Sequence, residues 1–121
     1  METLDNLPIL DSAFALDLVD NDKDLYKILL ESFLNDTSFE ESELDRLICE
    51  KKLKEAAGYV HAVKGAGRQL GAKRLAATGQ RLEDALRGKT NEIDNVANLS
   101  KDVKTEYERA LKEVQEYINR T

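Results

Sequence analysis

Hydrophobic residues recur along this chain at spacings of three and four, which is the period of an amphipathic α-helix. Strand signals are almost absent, because Pro8 is the only proline and no run alternates β-branched with polar residues. Asp11 or Ser12 can cap a short first helix that ends near Val19, and Asp22 closes a turn and can cap the next helix. The pattern predicts an all-α fold.

The second predicted helix covers about residues 23–50. Its apolar positions keep the three-and-four spacing and are Leu25, Ile28, Leu29, Phe33, Leu44, Leu47 and Ile48. Asp36, Thr37 and Ser38 are adjacent poor helix formers, so a bend at that point is left open.

Three more helices are predicted at about residues 53–70, at about 73–86, and from residue 96 to near the C-terminus. Gly71-Ala72 separates the first two, and Gly88 with the loop at residues 89–95 precedes the third. Their inward positions include Ala56, Val60, Val63, Gly67 and Leu70, then Leu75, Leu82 and Leu86, then Val96, Leu99, Val103, Tyr107, Ala110, Val114 and Ile118. Four substantial helices with short connections favour an antiparallel up-and-down four-helix bundle with a short extra N-terminal helix.

Length and composition indicate one soluble domain over residues 1–121, with the core bundle at about 22–119. Charged residues make up 35% of the chain and apolar residues 41%, which is typical of a folded helical domain rather than a disordered tail. The formal net charge of -6 argues against nucleic acid as the main partner, because phosphate contacts need a basic face.

The chain shows no targeting or membrane signal. No apolar run approaches the ~20 residues that a membrane span needs, and residues 1–3 do not open a secretory signal. The single cysteine, Cys49, cannot form an internal disulfide, which suits a reducing cytosol. We therefore expect a cytoplasmic protein, and the initial Met1 favours a natural free protein over a fragment of a longer one.

The segment that carries chemistry is YVHAVKGAGRQLGAKRL, residues 59–75. On a helix its histidine, His61, lies at the edge of the buried stripe or beyond it, and Lys64, Gly65 and Arg68 share the same face. Gly65 keeps the space beside the ring open, at a cost to the helix of roughly 0.5–1 kcal/mol. Lys64 and Arg68 can offset the charge of a phosphoryl group, so these surroundings suit a phosphorylated histidine. A boundary histidine without a task is the alternative that helical geometry leaves open.

The same segment resembles the signature of histidine-containing phosphotransfer (HPt) domains, approximately H-x-x-K-G-[SA]-x-x-x-[LV]-G-x-x-x-L with a later L-E or I-Q. The matching residues run from position 61 to position 83 and are His61, Lys64, Gly65, Ala66, Leu70, Gly71, Leu75, Leu82 and Glu83. Gly67 and Gly79 depart from the family pattern, which has serine, alanine or cysteine there. Both keep the residue small, although they can loosen the bundle locally.

The resemblance implies a four-helix bundle whose histidine accepts a phosphoryl group from the aspartate of one receiver domain and passes it to another. Carried over, His61 is the phosphoacceptor through Nε2, Lys64 stabilises the phosphoryl oxygens, and Gly65 leaves room for the receiver. Glu83 accepts a hydrogen bond from Nδ1–H and so orients the ring. Gln80 is an alternative for that role, and Glu83 is otherwise a solvated carboxylate.

On this resemblance we expect a phosphoryl carrier in a multistep His–Asp phosphorelay, not an enzyme with kinase activity, because no Gly-rich nucleotide loop is present. The expected partners are response-regulator receiver domains and a hybrid sensor histidine kinase. The protein would be a monomer without a cofactor, and Mg²⁺ would sit on the receiver. A non-catalytic helical adaptor that binds a receiver or kinase, and a plain bundle with an incidental histidine, are the alternatives.

Six cations fall between positions 64 and 87, where they form either ordinary solvated helix faces or a positive rim that steers an acidic receiver toward His61. In the second interpretation Arg68 contacts the phosphoryl group or the partner. The six residues are Lys64, Arg68, Lys73, Arg74, Arg81 and Arg87.

An apparent calcium loop lies earlier in the chain. Asp20, Asp22, Asp24 and Glu31 have EF-hand spacing, but Leu25 stands where that loop requires glycine. We interpret these acids as helix N-cap and first-turn residues. A zinc site is excluded by the single cysteine and single histidine.

Overall fold

The computed structural model describes residues 4–121, so the inferences drawn from residues 1–3 lie outside it. Within that range the chain forms six α-helices and no strand, which confirms the predicted all-α class. The helices are α1 (Ser12–Leu18), α2 (Lys23–Asp36), α3 (Glu41–Cys49), α4 (Leu53–Leu70), α5 (Lys73–Leu86) and α6 (Val96–Arg120). Short 3₁₀ turns cover Leu4–Asn6 and Ile93–Asn95.

Four helical positions make up the bundle. Helices α2 and α3 each pack against α4 and α6, so together they occupy the place of one long helix. Helix α5 packs against α4 on one side and α6 on the other, and α1 lies against α2 and α4. This arrangement confirms the predicted bundle with a short extra N-terminal helix.

The prediction of one helix over residues 23–50 is wrong, because the chain is extended between α2 and α3. Thr37 and Glu40 both have extended backbone angles, and the intervening Phe39 is buried in the core. The hydroxyl of Tyr107 donates to the carbonyl oxygen of Thr37 at 2.8 Å, and the hydroxyl of Tyr59 accepts from the backbone N–H of Glu40 at 2.8 Å. Side chains from α6 and α4 thus stabilise the extended segment between α2 and α3, which the helical period of the sequence does not reveal.

The inward face of α2 also differs from the prediction. The structure buries Tyr26, Leu30 and Phe33, whereas Leu25 and Ile28 are exposed. The reason is a tertiary hydrogen bond, since the Tyr26 hydroxyl donates at 2.8 Å to the last carbonyl of α4 inside the core. A buried phenol hydroxyl needs a hydrogen-bond partner, and this contact is made when α2 is rotated about its axis so that Tyr26 faces α4.

Helices α4 and α5 form an antiparallel hairpin whose bounds agree with the sequence prediction. Gly71 ends α4 in the left-handed region with φ of 85°, and the N–H of Ala72 donates to the carbonyl of Gly67 at 2.9 Å. These features make a Schellman cap. The N–H of Asp11 donates to the carbonyl of Gly71 at 2.8 Å, so the N-terminal segment is fastened to the turn of the hairpin.

We expect Gly71→Ala to lower the free energy of unfolding by about 3 kcal/mol. A left-handed alanine costs about 1–2 kcal/mol, and its Cβ would also overlap the carbonyl oxygen of Asp11. Gly88→Ala is the matched control, because Gly88 has a φ of 76° but no atom within 4 Å of the added Cβ. Urea unfolding of both variants gives the comparison. Equal losses would show that the packing of Asp11 on Gly71 contributes nothing.

Candidate functional site

His61 lies on α4 with 60% of its side chain exposed to solvent. Its Nδ1 faces the bundle and lies 3.2 Å and 3.1 Å from the two carboxylate oxygens of Glu83 on α5. The other ring nitrogen, Nε2, is therefore the outer one. An exposed imidazole with one nitrogen anchored and the other turned outward can act as a nucleophile toward a group on another molecule.

Glu83 is a buried carboxylate, with 7% of its side chain exposed. Besides His61 it contacts two cations, Lys64 Nζ at 2.8 Å on Oε1 and Arg87 Nε at 2.9 Å on Oε2. Each oxygen thus has a cationic partner as well as the imidazole. These contacts join α4 to α5 directly beneath the exposed ring.

The surroundings of Glu83 keep it ionised. Burial by itself raises the pKa of the carboxyl group, but hydrogen bonds from Lys64, Arg87 and His61 outweigh burial and lower the pKa to about 2. At neutral pH the carboxylate can therefore only accept a hydrogen bond, which places the imidazole proton on Nδ1. The lone pair of a neutral His61 is then on Nε2.

Lys64 lies beneath His61 rather than beside it at the surface. Only 8% of its side chain is exposed, and its ammonium donates to Gln80 Oε1 at 2.9 Å in addition to Glu83. The sequence leaves Gln80 open as an alternative to Glu83 for orienting His61. In the structure the side-chain carbonyl oxygen of Gln80 accepts from Lys64, and its amide donates to Asp84 at 2.8 Å. These two contacts use two of the three N–H donors of the ammonium, so a direct contact between Lys64 and a phosphoryl group stays a prediction.

Three helical glycines near the site fall into two groups. A Cβ at Gly65 would have no atom within 4 Å, so the space one turn beyond His61 is open. A Cβ at Gly67 would lie 3.0 Å from the side chain of Leu75, and one at Gly79 would lie 2.9 Å from Lys64 Cβ. The helices approach closely at both of these positions, in contrast to the local loosening expected from the sequence.

Arg87 belongs to the site, whereas the sequence predicts it only as part of the positive rim. It stands four residues after Glu83, and that i,i+4 spacing is a signal for an acid–base pair on one helix. The signal is weak by itself because such pairs are common on exposed helix faces. The Glu83–Arg87 pair matters for the site because Glu83 is buried beneath His61.

The rest of the predicted rim is mostly engaged elsewhere. Lys73 pairs with Asp11 at 2.9 Å, the Arg74 guanidinium donates to the carbonyl of Leu7 at 2.7 Å, and Arg81 pairs with Glu92. Arg68 is exposed on α4, two turns beyond His61, which is about 10 Å along the helix axis. Of the rim cations other than Lys64, Arg87 thus reaches the site through its contact with Glu83, and Arg68 is exposed farther along α4.

The acidic segment with calcium-loop spacing has a local structural role. Asp22 caps α2, since its side chain accepts from the N–H of Leu25 at 3.0 Å. In residues 4–121 no three histidine, cysteine or acidic side chains cluster in a way that could hold a metal ion. Over the same residues, no helix is both long enough and apolar enough to cross a membrane.

Comparison with known proteins relates the chain to one family. A family model described as Hpt domain matches residues 28–117, which include α3, α4 and α5 in full and most of α2 and α6. No curated protein and no solved structure matches the chain. The first helix, α1, and the segment before it lie outside the matched range.

The depressed pKa of Glu83 predicts a specific pH dependence of stability. Because the pKa is about 2 in the folded protein and near 4.5 in the unfolded chain, the ionised carboxylate stabilises the fold fully above pH 4.5. That contribution is lost as the pH falls through about 2. We expect Glu83→Gln to lower the free energy of unfolding at pH 7 by about 3 kcal/mol, and this difference should shrink between pH 4.5 and pH 2.

Urea unfolding of the wild type and the variant at several pH values measures this effect. Glu116→Gln removes an exposed carboxylate from α6 and should follow the wild-type curve. A difference between Glu83→Gln and wild type that stays constant with pH would contradict the assignment of an ionised, cation-bound Glu83.

Proposed function

Because the chain belongs to the Hpt domain family, whose members carry phosphoryl groups on histidine in two-component signalling, we propose that His61 is its phosphoacceptor. In this proposal the protein is an intermediate of a multistep His–Asp phosphorelay. It takes the phosphoryl group from the aspartate of one receiver domain and passes it to the aspartate of another. The observation that carries the proposal is the exposed imidazole whose Nδ1 is held by a buried, ionised carboxylate.

Nucleophilic attack by His61 follows from this arrangement. The lone pair of Nε2 attacks the phosphorus of an aspartyl phosphate, the N–P bond forms as the P–O bond breaks, and the aspartate leaves as a carboxylate. The ring keeps its proton on Nδ1 and becomes positively charged as the bond forms. Glu83 lies 3.1 Å from that proton's nitrogen and stabilises the developing charge, as the aspartate of a catalytic triad stabilises an imidazolium.

The reverse reaction uses the same groups. A phosphoimidazole that is protonated on Nδ1 is a good phosphoryl donor, because the ring leaves as neutral imidazole when the N–P bond breaks. The carboxylate of the next receiver attacks the phosphorus, the N–P bond breaks, and the electron pair returns to Nε2. A carrier of this kind needs no nucleotide site, and the catalytic Mg²⁺ would be supplied by the receiver.

The neighbouring residues support the carrier role in different ways. We propose that Lys64 and Gln80 act through Glu83, because Lys64 links the two side chains beneath the ring. Gly65 leaves room for the receiver to approach Nε2. Arg68 is exposed on the same face and suits contact with an acidic partner. In this proposal residues 1–121 form one monomeric HPt domain whose partners are receiver domains and a hybrid sensor kinase.

The first test is phosphotransfer from a panel of labelled, phosphorylated receiver domains to the purified protein. We expect an acid-labile phosphoryl group on the wild type and none on His61→Gln, because glutamine lacks the nucleophilic imidazole nitrogen. Transfer to His61→Gln at the wild-type rate would exclude His61 as the acceptor. Receiver binding by the wild type without any label would instead favour the non-catalytic adaptor.

A second test separates partner access from histidine chemistry. Gly65→Leu should fold normally, since a Cβ at this position meets no atom within 4 Å and leucine favours a helix. We expect phosphotransfer from a receiver to fall at least about tenfold, because a steric misfit of about 1.4 kcal/mol suffices for that factor. Labelling by the small donor phosphoramidate should remain near wild type. An equal loss with both donors would show that Gly65 supports the histidine itself rather than receiver access.

A further inference from the structure

A basic groove lies at the end of the bundle where α4 begins and α5 ends. Its walls are the side chains of Leu53, Lys54, Leu86, Arg87 and Lys89. Among residues 4–121 no acidic side chain lines it, although the chain as a whole has a net charge of -6. Leu53 is 37% exposed, so the groove offers an apolar contact beside its cations.

Two of the three cations in this groove are unpaired. Arg87 is bound to Glu83, but within residues 4–121 neither Lys54 nor Lys89 forms a salt bridge. Glu50 at the end of α3 is already paired with two other cations. Because nothing in this part of the protein neutralises them, the two lysines present a local positive potential to an approaching molecule.

Gly58 lies between this groove and His61, and packing does not explain its presence. It stands inside α4, where glycine weakens a helix. Its φ is not positive, and a Cβ at this position would have no atom within 4 Å, so neither a left-handed backbone nor a close neighbour requires glycine. The position therefore leaves open space on the exposed side of α4, one turn before the imidazole.

Lys54, Gly58 and His61 share one face of α4. Residues seven apart on a helix point within about 20° of each other and lie about 10 Å apart along its axis, and Lys54 is seven residues before His61. A protein interface buries about 800 Å² on each partner, which corresponds to a circle with a radius of about 16 Å. A receiver that is centred on the outer nitrogen of His61 therefore extends over Lys54 as well.

We propose that the groove at the start of α4 is a second docking point for the receiver and binds an acidic segment on that receiver's surface. This inference rests on the proposed function of His61 and concerns which receivers can use it. Lys54 and Lys89 pair with carboxylates of the segment, and Leu53 contacts an apolar side chain between them. Gly58 lets the two surfaces meet between the groove and the imidazole. All four residues lie outside the signature segment, so they suit partner selection rather than the transfer chemistry.

The test measures phosphotransfer to the full chain from the receiver that labels His61 fastest. Lys54→Glu/Lys89→Glu reverses both free cations, and Lys101→Glu/Lys112→Glu makes the same charge change at two exposed lysines of α6. At roughly 0.05 M NaCl we expect kcat/KM to fall at least about tenfold for the groove variant and less than about threefold for the control. At about 0.5 M NaCl this difference should largely disappear, because salt screens the charges.

Gly58→Leu tests the clearance between the groove and His61 independently. Leucine favours a helix, so this variant should unfold at a higher urea concentration than the wild type. Transfer from the same receiver should nevertheless fall at least about tenfold, because the added side chain fills the space that the receiver occupies. Labelling of His61 by phosphoramidate should stay near wild type in all of these variants, since this small donor does not dock on the groove.

The outcomes separate this inference from the proposed function. A groove variant that loses no more transfer than its control, or as much at high salt as at low salt, would overturn the docking role of Lys54 and Lys89 and leave the proposed function intact. Unchanged transfer to Gly58→Leu would do the same for the role of Gly58. A parallel fall in phosphoramidate labelling would assign the loss to His61 itself, against docking. Failure of the wild type to take label on His61 from any receiver would overturn the proposed function together with this inference.

Discussion

The candidate site depends on the buried carboxylate of Glu83. Glu83 joins α4 to α5 through Lys64, anchors the exposed imidazole of His61, and holds Arg87 at the surface. A buried charge of this kind is unfavourable unless it is fully paired, because desolvation is costly. Here three nitrogen donors outweigh that cost and keep the pKa of Glu83 at about 2. The same carboxylate therefore both links the two helices of the hairpin and fixes the tautomer of the histidine.

The close approach of α4 and α5 allows Lys64 on one helix to reach Glu83 on the other. Gly67 lets Leu75 pack against α4, and Gly79 leaves the space that the stem of Lys64 fills. Each is a weak helix former, with a cost of roughly 0.5–1 kcal/mol relative to alanine. The tight packing at both positions gives a physical reason for that cost. A bulkier residue at position 79 would separate the helices where the ammonium must reach the carboxylate of Glu83.

The site suits a carrier better than an enzyme that acts alone. A carrier has to receive and release the same group, so its nucleophile must be reactive without making the product too stable. A hydrogen bond from Nδ1–H to an ionised carboxylate favours the charged ring that exists while the N–P bond forms or breaks. The exposure of the outer nitrogen and the open space at Gly65 leave the remaining chemistry to the partner that docks there.

The sequence by itself determined the helical class, the bounds of α4 and α5, and the segment that carries His61, because the helical period and glycine breaks are local signals. Only the tertiary structure decided which neighbours of His61 are buried. Lys64 shares a helical face with His61 in sequence, yet packing against Gly79 draws its stem between the helices. The same holds for the rotation of α2 and the interruption at residues 37–40, which depend on hydroxyl contacts of Tyr26, Tyr59 and Tyr107 with distant backbone groups. Periodicity along one helix contains no information about such contacts, since they join residues that are 19 to 70 positions apart.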